Sequence, residues 1–269
     1  MLITIITPSR NQGQYIKDCL ESIFGQTHKE IEHIVLDGMS TDDTADVVAR
    51  YPSTFLQKKD SGPAQAINRG LNMARGEIVC WLNSDDLFFS PTTLQTVAEI
   101  FSQQPSVDVI TGDGYYMNHH GKMVQPIVPT HPNRMTHAWI RRYDMFLQPA
   151  TFWRRNSIQL DENLHYGFDW KLWNDFYLNG LSVLYVPQYF ALYRIHTSSL
   201  TQLDPPARRK ELYQLVCKYS GSKMQRVWCW IVWKAYCLDE HLPGNFVRPP
   251  LNIMNRILGK LTSGKITSV

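Results

Sequence analysis

The chain has 269 residues, of which 43% are apolar and 19% charged, and its net charge at pH 7 is +3. This composition predicts a globular protein with a sizeable core and excludes a disordered chain. The five cysteines, at positions 19, 80, 217, 229 and 237, include no Cys-x-x-Cys pair, which favours a reduced, cytoplasmic protein.

The charge distribution predicts one large domain followed by a basic extension. Residues 1–204 carry 16 Lys/Arg and 21 Asp/Glu, a balance of −5, whereas residues 205–269 carry 11 and 3, a balance of +8. The Asp204-Pro-Pro206 break places the boundary between residues 204 and 205. The apolar start, Met1–Pro8, has no basic residue and predicts a first strand, not a signal peptide. No run of about 18 uncharged apolar residues predicts a transmembrane helix.

The first half of the chain alternates strand and helix patterns. Strands are predicted at Ile3–Ile6, Ile31–Leu36, Thr54–Gln57, Ile78–Leu82 and Val107–Thr111. Helices are predicted at Gln14–Phe24, Ala45–Arg50, Ala64–Ala74 and Pro91–Phe101. This order is typical of βαβ units, so the fold class is α/β with a mostly parallel sheet.

The second half predicts a mixed arrangement. The predicted elements are a hairpin of Tyr115–Met117 and Lys122–Ile127, a strand at Pro149–Arg154, a helix at Asp169–Leu178, and strands at Ser182–Val186 and Tyr189–Ile195 separated by Pro187. Beyond Pro206 the sequence is basic, rich in Trp and helical in pattern. A helical C-terminal appendage is therefore expected.

Polar clusters follow the strands of the first half. They lie at Thr7–Asn11, Asp37–Asp43, Asp60–Gly62 and Asp85-Asp86. In a doubly wound sheet such clusters meet at the edge where ligands bind. Adjacent carboxylates such as Asp85-Asp86 fit a Mg²⁺ or Mn²⁺ ion that carries a phosphorylated substrate. The alternative is a solvated pair that caps the following helix.

Six segments carry a family resemblance when their order and spacing are taken together. They are Thr7–Asn11, Val35–Thr44, Asp60–Gly70, Asn83–Asp86, Tyr166–Trp173 and Tyr193–His196. The chain resembles family 2 glycosyltransferases with the Rossmann-like GT-A fold over about residues 1–200. The resemblance implies inverting, metal-dependent transfer of a sugar from a nucleotide-sugar, UDP-linked in most of the family. The implied acceptor is a hydroxyl of a glycan or lipid-linked acceptor in surface-polysaccharide assembly.

The resemblance also implies a donor site. It gives Asp37 and Asp60 the role of accepting hydrogen bonds from the base and the ribose, and Asp85 that of a ribose contact. Further donor contacts are implied at Thr7, Pro8, Ser9, Asn11 and Asn68. The alternatives are a helix cap or Asx-turn at Asp37 and a turn residue at Asp60.

The implied metal ligand is Asp86, and His196 completes the metal shell or contacts the diphosphate. Position 83 is Asn where the family's strict pattern has Asp, which leaves the division of labour between Asp85 and Asp86 open. A purely structural role for His196 is the alternative.

The implied catalytic base is Asp169, which takes the proton of the attacking hydroxyl. Attack from the face opposite the leaving diphosphate inverts the anomeric configuration. The family often has Glu before this Asp, and here the residue is Phe168. The alternative for Asp169 is a helix-start carboxylate that complements the helix dipole.

Acceptor contacts are expected at Gln148 and at Trp170, which with Trp153, Tyr166 and Trp173 could form an apolar platform for a sugar or lipid. The alternative is that these aromatic residues form core. In the extension, residues 207–238 mix basic and Trp-rich apolar positions, which fits either a helix in the interface of the plasma membrane's inner face or a packed helix with solvated lysines.

Three rival functions are weighed. A nucleotidyltransferase needs a Gly-rich basic phosphate loop near the N-terminus, which Thr7–Asn11 lacks. A Rossmann oxidoreductase needs Gly-x-Gly-x-x-Gly after a strand, and the chain has none. A catalytically silent binding module on the same fold remains open. No nucleic-acid recognition motif is present, so no nucleic-acid partner is expected.

Overall fold

The structure is a computed structural model, and the chain divides into two compact units, Met1–Leu203 and Asp204–Val269. The residues that it describes are 1–128, 136–141, 144–200, 205–219, 226–227 and 230–231.

The elements of the first unit follow the predicted alternation. Its strands are β1 (Ile3–Ser9), β2 (Ile31–Asp37), β3 (Thr54–Gln57), β4 (Ile78–Trp81), β5 (Leu87–Phe88), β6 (Val109–Met117), β7 (Met123–Ile127), β8 (Thr151–Arg154) and β9 (Val183–Arg194). Its helices are α1 (Gly13–Phe24), α2 (Thr44–Val48), α3 (Pro63–Met73), α4 (Thr93–Gln103), α5 (His137–Ile140) and α6 (Phe168–Leu178).

Within the described residues, nine strands form one sheet in the order β3-β2-β1-β4-β8-β6-β9-β5, with β7 paired to β6. The β3-β2-β1-β4 half is parallel. In the other half, β8 is antiparallel to β4 and β6, β9 is parallel to β6, and β5 and β7 add antiparallel edges. The α/β class with a mostly parallel sheet and a mixed second half is thus confirmed.

The central strands are buried because helices cover the sheet. In β1, the side chains of Ile3, Ile5 and Ile6 have no exposed surface. Helix α3 lies close to this strand because Gly70 carries no side chain, and a Cβ there would be 2.6 Å from Ile6 Cγ2. The core therefore fixes the position of the strand ends, where the polar loops begin.

The structure differs from the predicted strands mainly in the second half. The strand predicted at Val107–Thr111 and the first strand of the hairpin form one strand, β6. The two strands predicted around Pro187 are also one strand, β9, and its pairing with β6 shifts register at Asp113. Pro187 is exposed and has no backbone N–H to donate to a neighbouring strand. The register shift accommodates it, so the strand continues past this residue.

Smaller differences concern element ends. The short strand β5 is not predicted from the sequence, helix α4 begins at Thr93 and not at Pro91, and the strand at β8 is preceded by a 3₁₀ turn, Gln148–Ala150. Two residues are too few for a recognisable alternation, so β5 depends on pairing with β9.

The second unit contains helix α7 (Pro205–Tyr219), and residues 226–227 and 230–231 are also helical. Much of the predicted 207–238 segment, including Trp228 and Trp233, lies outside the described residues. None of the helices in the described ranges has both the length and the apolar content that a membrane span requires.

Candidate active site

A cavity of about 470 Å³ lies where the loops after β1, β2 and β4 meet the start of α6 and the end of β9. It is lined by Pro8, Ser9, Arg10, Gln12, Leu36, Gly38, Asp60, Gly62, Pro63, Ala66, Trp81, Asn83, Ser84, Asp85, Asp86, Gln148, Tyr166, Phe168, Asp169, Tyr193, Ser198, Ser199 and Leu200. All six segments of the predicted motifs thus contribute to one cavity, although the lining residues Pro8 and Tyr193 are 185 positions apart in the sequence.

Asp85 lines this cavity and contacts His196, which is buried and is not among the lining residues. His196 Nε2 lies 2.9 Å from Asp85 Oδ2, and His196 Nδ1 lies 2.8 Å from Ser198 Oγ. The side chain of Asp85 keeps 18% of its surface exposed. A carboxylate and an imidazole are both ligand types that Mn²⁺ accepts.

Asp86 is placed differently from its neighbour. It is buried, and its carboxylate accepts hydrogen bonds from the backbone N–H of Arg194 at 2.9 Å and from Asn83 Nδ2 at 3.1 Å. Burial, and then the negative charge of Asp85, raise the pKa of Asp86 well above its usual range. The imidazole of His196 thus contacts Asp85, and both oxygens of Asp86 accept hydrogen bonds from the protein. Metal ligation by Asp86 stays a prediction.

Asn83 and Gln148 form a polar chain behind Asp86. Gln148 Oε1 accepts a hydrogen bond from Asn83 Nδ2 at 3.0 Å, and Gln148 Nε2 donates to the carbonyl oxygen of Trp81 at 2.7 Å. Asn83 therefore donates to both a carboxylate and an amide, which an aspartate at this position could not do. The departure from the family's pattern at position 83 has this structural consequence.

Asp169 lies in the first turn of α6 and lines the cavity. Its Oδ1 accepts a hydrogen bond from the backbone N–H of Trp170 at 2.7 Å. Tyr166 and Phe168, which come just before Asp169 in the sequence, also line the cavity. The first turn of a helix is a favourable position for a carboxylate, because it lies near the positive end of the helix dipole.

Three buried polar atoms of cavity-lining residues have no hydrogen-bond partner among the described residues: Ser9 Oγ, Gln12 Oε1 and Asp60 Oδ1. The other oxygen of Asp60 accepts from Arg69 Nη2 at 2.9 Å. Burial raises the pKa of Asp60, while the charges of Arg69 and Lys58 act in the opposite direction. Because buried polar groups are nearly always paired, these atoms point to a polar ligand in the cavity.

Two residues predicted to contact the donor, Thr7 and Asn68, form hydrogen bonds with other parts of the protein, and their donor contacts stay predictions. Thr7 Oγ1 lies 3.0 Å from the ring of His33, whose burial lowers its pKa to about 3. The amide of Asn68 exchanges hydrogen bonds with the backbone of Leu160 at 2.9 and 3.0 Å and donates to Glu162 at 2.9 Å. Neither residue is among those that line the cavity in the described part of the chain.

Asp37 and Asn11 likewise shape loops. Asp37 is fully buried and accepts from the backbone N–H and the hydroxyl of Ser40 and from Gln57 Nε2. Asn11 has a left-handed backbone, with φ of +53°, and its side-chain oxygen accepts from Thr41 N at 2.9 Å. The Asx-turn alternative for Asp37 thus describes its contacts, and a direct ligand contact at either residue stays a prediction.

The predicted aromatic platform is mostly core. Trp153 and Trp173 are buried with their rings 6.2 Å apart, and Trp170 donates its indole N–H to the carbonyl oxygen of Ile140 at 2.6 Å. Of the four aromatic residues proposed, Tyr166 lines the cavity. Spacing along α6 does not distinguish a sugar platform from core, because both use apolar residues at helical intervals.

Sequence reasoning missed several contributors. Gln12 follows the predicted Thr7–Asn11 segment by one residue, and Ser198, Ser199 and Leu200 follow the His196 motif. Arg194 stands inside that motif, and its role was not recognised. A basic residue inside an otherwise apolar strand pattern, two positions before a candidate metal ligand, is the signal that could have found it.

These features define the class of protein. The staphylococcal protein TarS, crystallised in complex with UDP-GlcNAc, superposes with a TM-score of 0.67 at 21% identity over 85% of this chain and 69% of its own. A mannosyltransferase of Pyrobaculum calidifontis in complex with GDP-Man and Mn²⁺ superposes with a TM-score of 0.64 at 17% identity, covering 98% of this chain and 81% of its own. The fold is therefore that of the GT-A glycosyltransferases.

The family follows from the sequence match. The model of glycosyl transferase family 2 matches residues 4–160, more than half of the chain, and the protein belongs to this family. An uncharacterised glycosyltransferase of Rickettsia typhi is 27% identical over 74% of this chain and 66% of its own length. A putative teichuronic acid biosynthesis glycosyltransferase of Bacillus subtilis, TuaG, is 37% identical over 32% of this chain and 36% of its own. The chain thus spans just under two thirds of the rickettsial relative and a smaller part of TuaG.

Proposed function

We propose that this protein is an inverting glycosyltransferase that moves a sugar from a nucleotide-sugar to a hydroxyl of a glycan or lipid-linked acceptor. The observation that carries the proposal is that Asp85 and Asp169 line the same cavity as Ser9, Gln12 and Asp60, whose buried polar atoms include three without a partner in the described residues. Donor complexes of the structural neighbours and the teichuronic acid assignment of TuaG support a role in surface-polysaccharide assembly.

Asp85 and His196 are the residues that would hold Mn²⁺ or Mg²⁺. No cluster of three or more His, Cys, Asp or Glu side chains suited to a metal occurs in the described ranges. Two protein ligands nevertheless fit, because Mg²⁺ in nucleotide sites takes one or two carboxylates and completes its shell with phosphate oxygens and water. When bound, the cation neutralises the diphosphate and stabilises the departing nucleotide.

The donor's nucleotide is proposed to occupy the region around Ser9, Gln12 and Asp60. The carboxylate of Asp60 and the amide oxygen of Gln12 accept hydrogen bonds, so they suit the N–H of a base and the hydroxyls of a ribose. Uracil supplies such an N–H, which is consistent with the proposed UDP-linked donor. The hydroxyl of Ser9 can donate to a phosphate or carbonyl oxygen.

Asp169 is proposed as the general base. Its carboxylate lies at the cavity surface, where an acceptor hydroxyl would approach, and the N–H of Trp170 fixes one of its oxygens. Proton transfer to Asp169 as the hydroxyl attacks the anomeric carbon requires the leaving diphosphate on the opposite face of the sugar. Such a single displacement inverts the configuration.

A screen of nucleotide-sugars tests the proposal. We expect at least one UDP-sugar to raise the melting temperature in the presence of Mn²⁺, and to be hydrolysed or transferred with release of UDP that excess chelator stops. In a parallel assay with a nucleoside triphosphate and a sugar 1-phosphate, release of pyrophosphate would instead support a nucleotidyltransferase. Binding without turnover, with every candidate acceptor supplied, would support a catalytically silent module.

We also propose that the second unit contacts the inner face of the plasma membrane. Val227, Trp230 and Ile231 are each helical and exposed, and their spacing of i, i+3 and i+4 is the spacing of one helix face. Residues 205–269 carry a net charge of +8, which complements an anionic lipid surface, and each cation near such a surface contributes about 1 kcal/mol.

Co-sedimentation with anionic liposomes tests this membrane contact. We expect the full chain to sediment at low salt and to be released as salt screens the charges. The double variant Trp230→Glu/Ile231→Glu should bind at least about fivefold less, because its apolar face is lost. Leu178→Glu, a change at an exposed leucine of the first unit, is the matched control and should bind as wild type. Equal binding by all three proteins, or none by wild type, contradicts the membrane proposal.

A further inference from the structure

Arg194 is a buried cation beside the proposed metal pair, and the proposed function gives it no task. Only 2% of its surface is exposed. Its guanidinium donates from three nitrogens: Nε to the carbonyl oxygen of Asp85 at 2.8 Å, Nη1 to the carbonyl oxygen of His119 at 3.2 Å, and Nη2 to Asp18 Oδ2 at 2.9 Å. Its backbone N–H donates to Asp86. One residue thus contacts the backbone of one aspartate and the carboxylate of the next.

Helix α1 supports this arginine from one side. Tyr15 and Asp18 are three positions apart, so they lie on the same face of the helix. The Arg194 guanidinium lies 4.8 Å from the centre of the Tyr15 ring, and the His196 ring lies 4.7 Å from the same centre. The tyrosine therefore contacts both the arginine and the candidate metal ligand two residues further along.

The turn between β6 and β7 supports it from another side. The carbonyl oxygen of His119 accepts the second Arg194 hydrogen bond, and the neighbouring Gly121 has a left-handed backbone, with φ of +80°. The guanidinium thus joins three parts of the first unit: helix α1, the β6–β7 turn and the loop that carries Asp85.

We propose that Arg194 is the positioning residue of the cation site and that its positive charge permanently balances the negative charge of the neighbouring carboxylates. The Nε donor holds the main chain of Asp85 so that its carboxylate meets His196, while the positive charge offsets the adjacent carboxylates before a cation binds. Lysine cannot replace it, because an ammonium group lacks the planar fork that serves three acceptors in fixed directions. This inference rests on the proposed function, since it concerns the site at which that function needs a cation.

The test measures Mn²⁺ affinity directly, by the electron paramagnetic resonance of free Mn²⁺ with UDP present at saturation. We expect Arg194→Lys to raise the Mn²⁺ dissociation constant about 10-fold or more, as changes behind metal ligands commonly do. Arg154→Lys is the matched control. Arg154 also donates to two backbone carbonyls, those of Val107 and Phe101, and neither belongs to the loop that carries Asp85. The Arg154→Lys variant should have a lower melting temperature than wild type and an unchanged affinity for Mn²⁺.

The outcomes separate this inference from the proposed function. If wild type binds no Mn²⁺ with UDP, the cation site and this inference both fail. If wild type binds and Arg194→Lys binds equally well, the arginine is structural and only the inference fails. Should Arg194→Lys not fold, Asp18→Ala removes the ion pair at a side chain that is 47% exposed. That variant should raise the dissociation constant at least about threefold, and an unchanged constant overturns the inference.

Discussion

Replacing Asp169 with asparagine should lower kcat about 100-fold or more while the affinity for the donor stays nearly unchanged. The amide keeps the shape of the side chain and its acceptor oxygen for the Trp170 N–H, but it cannot take a proton. The measurement is kcat and KM for transfer to the acceptor, together with the dissociation constant of the UDP-sugar.

The matched control is Asp175→Asn in the same helix. Asp175 pairs with Lys171 at 2.6 Å, and neither residue lines the cavity. This variant should keep kcat within about twofold of wild type, because the change leaves the cavity lining intact. If Asp169→Asn weakens donor binding and keeps kcat, Asp169 belongs to the nucleotide site and the general-base role is wrong.

The second large effect is expected at Asp85. Asp85→Asn should raise the Mn²⁺ dissociation constant and lower kcat/KM. Each change should exceed the roughly 10- to 100-fold effect that is typical of substituting a residue that supports a metal ligand. The physical reason is that a neutral amide binds the cation more weakly than the carboxylate that contacts His196. Without the cation, the negative charge of the diphosphate is not compensated. Titration of activity with Mn²⁺ separates the loss of affinity from the loss of rate.

Comparison with Asp86→Asn distinguishes the roles of the two carboxylates. Asp86 is buried and accepts from Arg194 N and from Asn83, and an asparagine there retains only one acceptor oxygen. We therefore expect a lower melting temperature to accompany any loss of activity in this variant, whereas Asp85→Asn should melt as wild type. If Asp86→Asn alone loses Mn²⁺ at an unchanged melting temperature, Asp86 is the metal ligand, as the family resemblance implies.

The parallel half of the fold could be predicted from the sequence because its signals are local. Each of the first four strands is a short apolar run, each helix between them has an apolar stripe, and turn residues separate them. The mixed half of the sheet is harder to predict from the sequence. The parallel pairing of β9 with β6 and the two-residue strand β5 depend on partners that are about 70 to 100 positions away.

The candidate site could be predicted in part. Ser9, Asp60, Asp85, Asp86, Gln148 and Asp169 all line the cavity, as do Pro8 and Tyr166. These residues follow strands or open a helix, and the carboxyl edge of a parallel sheet gathers such positions. Thr7, Asn11 and Asn68 come from the same motifs, yet their side chains turn toward other parts of the protein.

The sequence by itself determined the family, the α/β class and the set of segments that meet at the site, because motif order and apolar periodicity are properties of the chain alone. The tertiary structure alone decided which atoms of those segments face the cavity. That choice depends on partners distant in sequence: His196 contacts Asp85, 111 positions earlier, and Arg194 reaches Asp18, 176 positions earlier. A carboxylate is free for a ligand only where such partners leave an oxygen unpaired, and no local pattern records that.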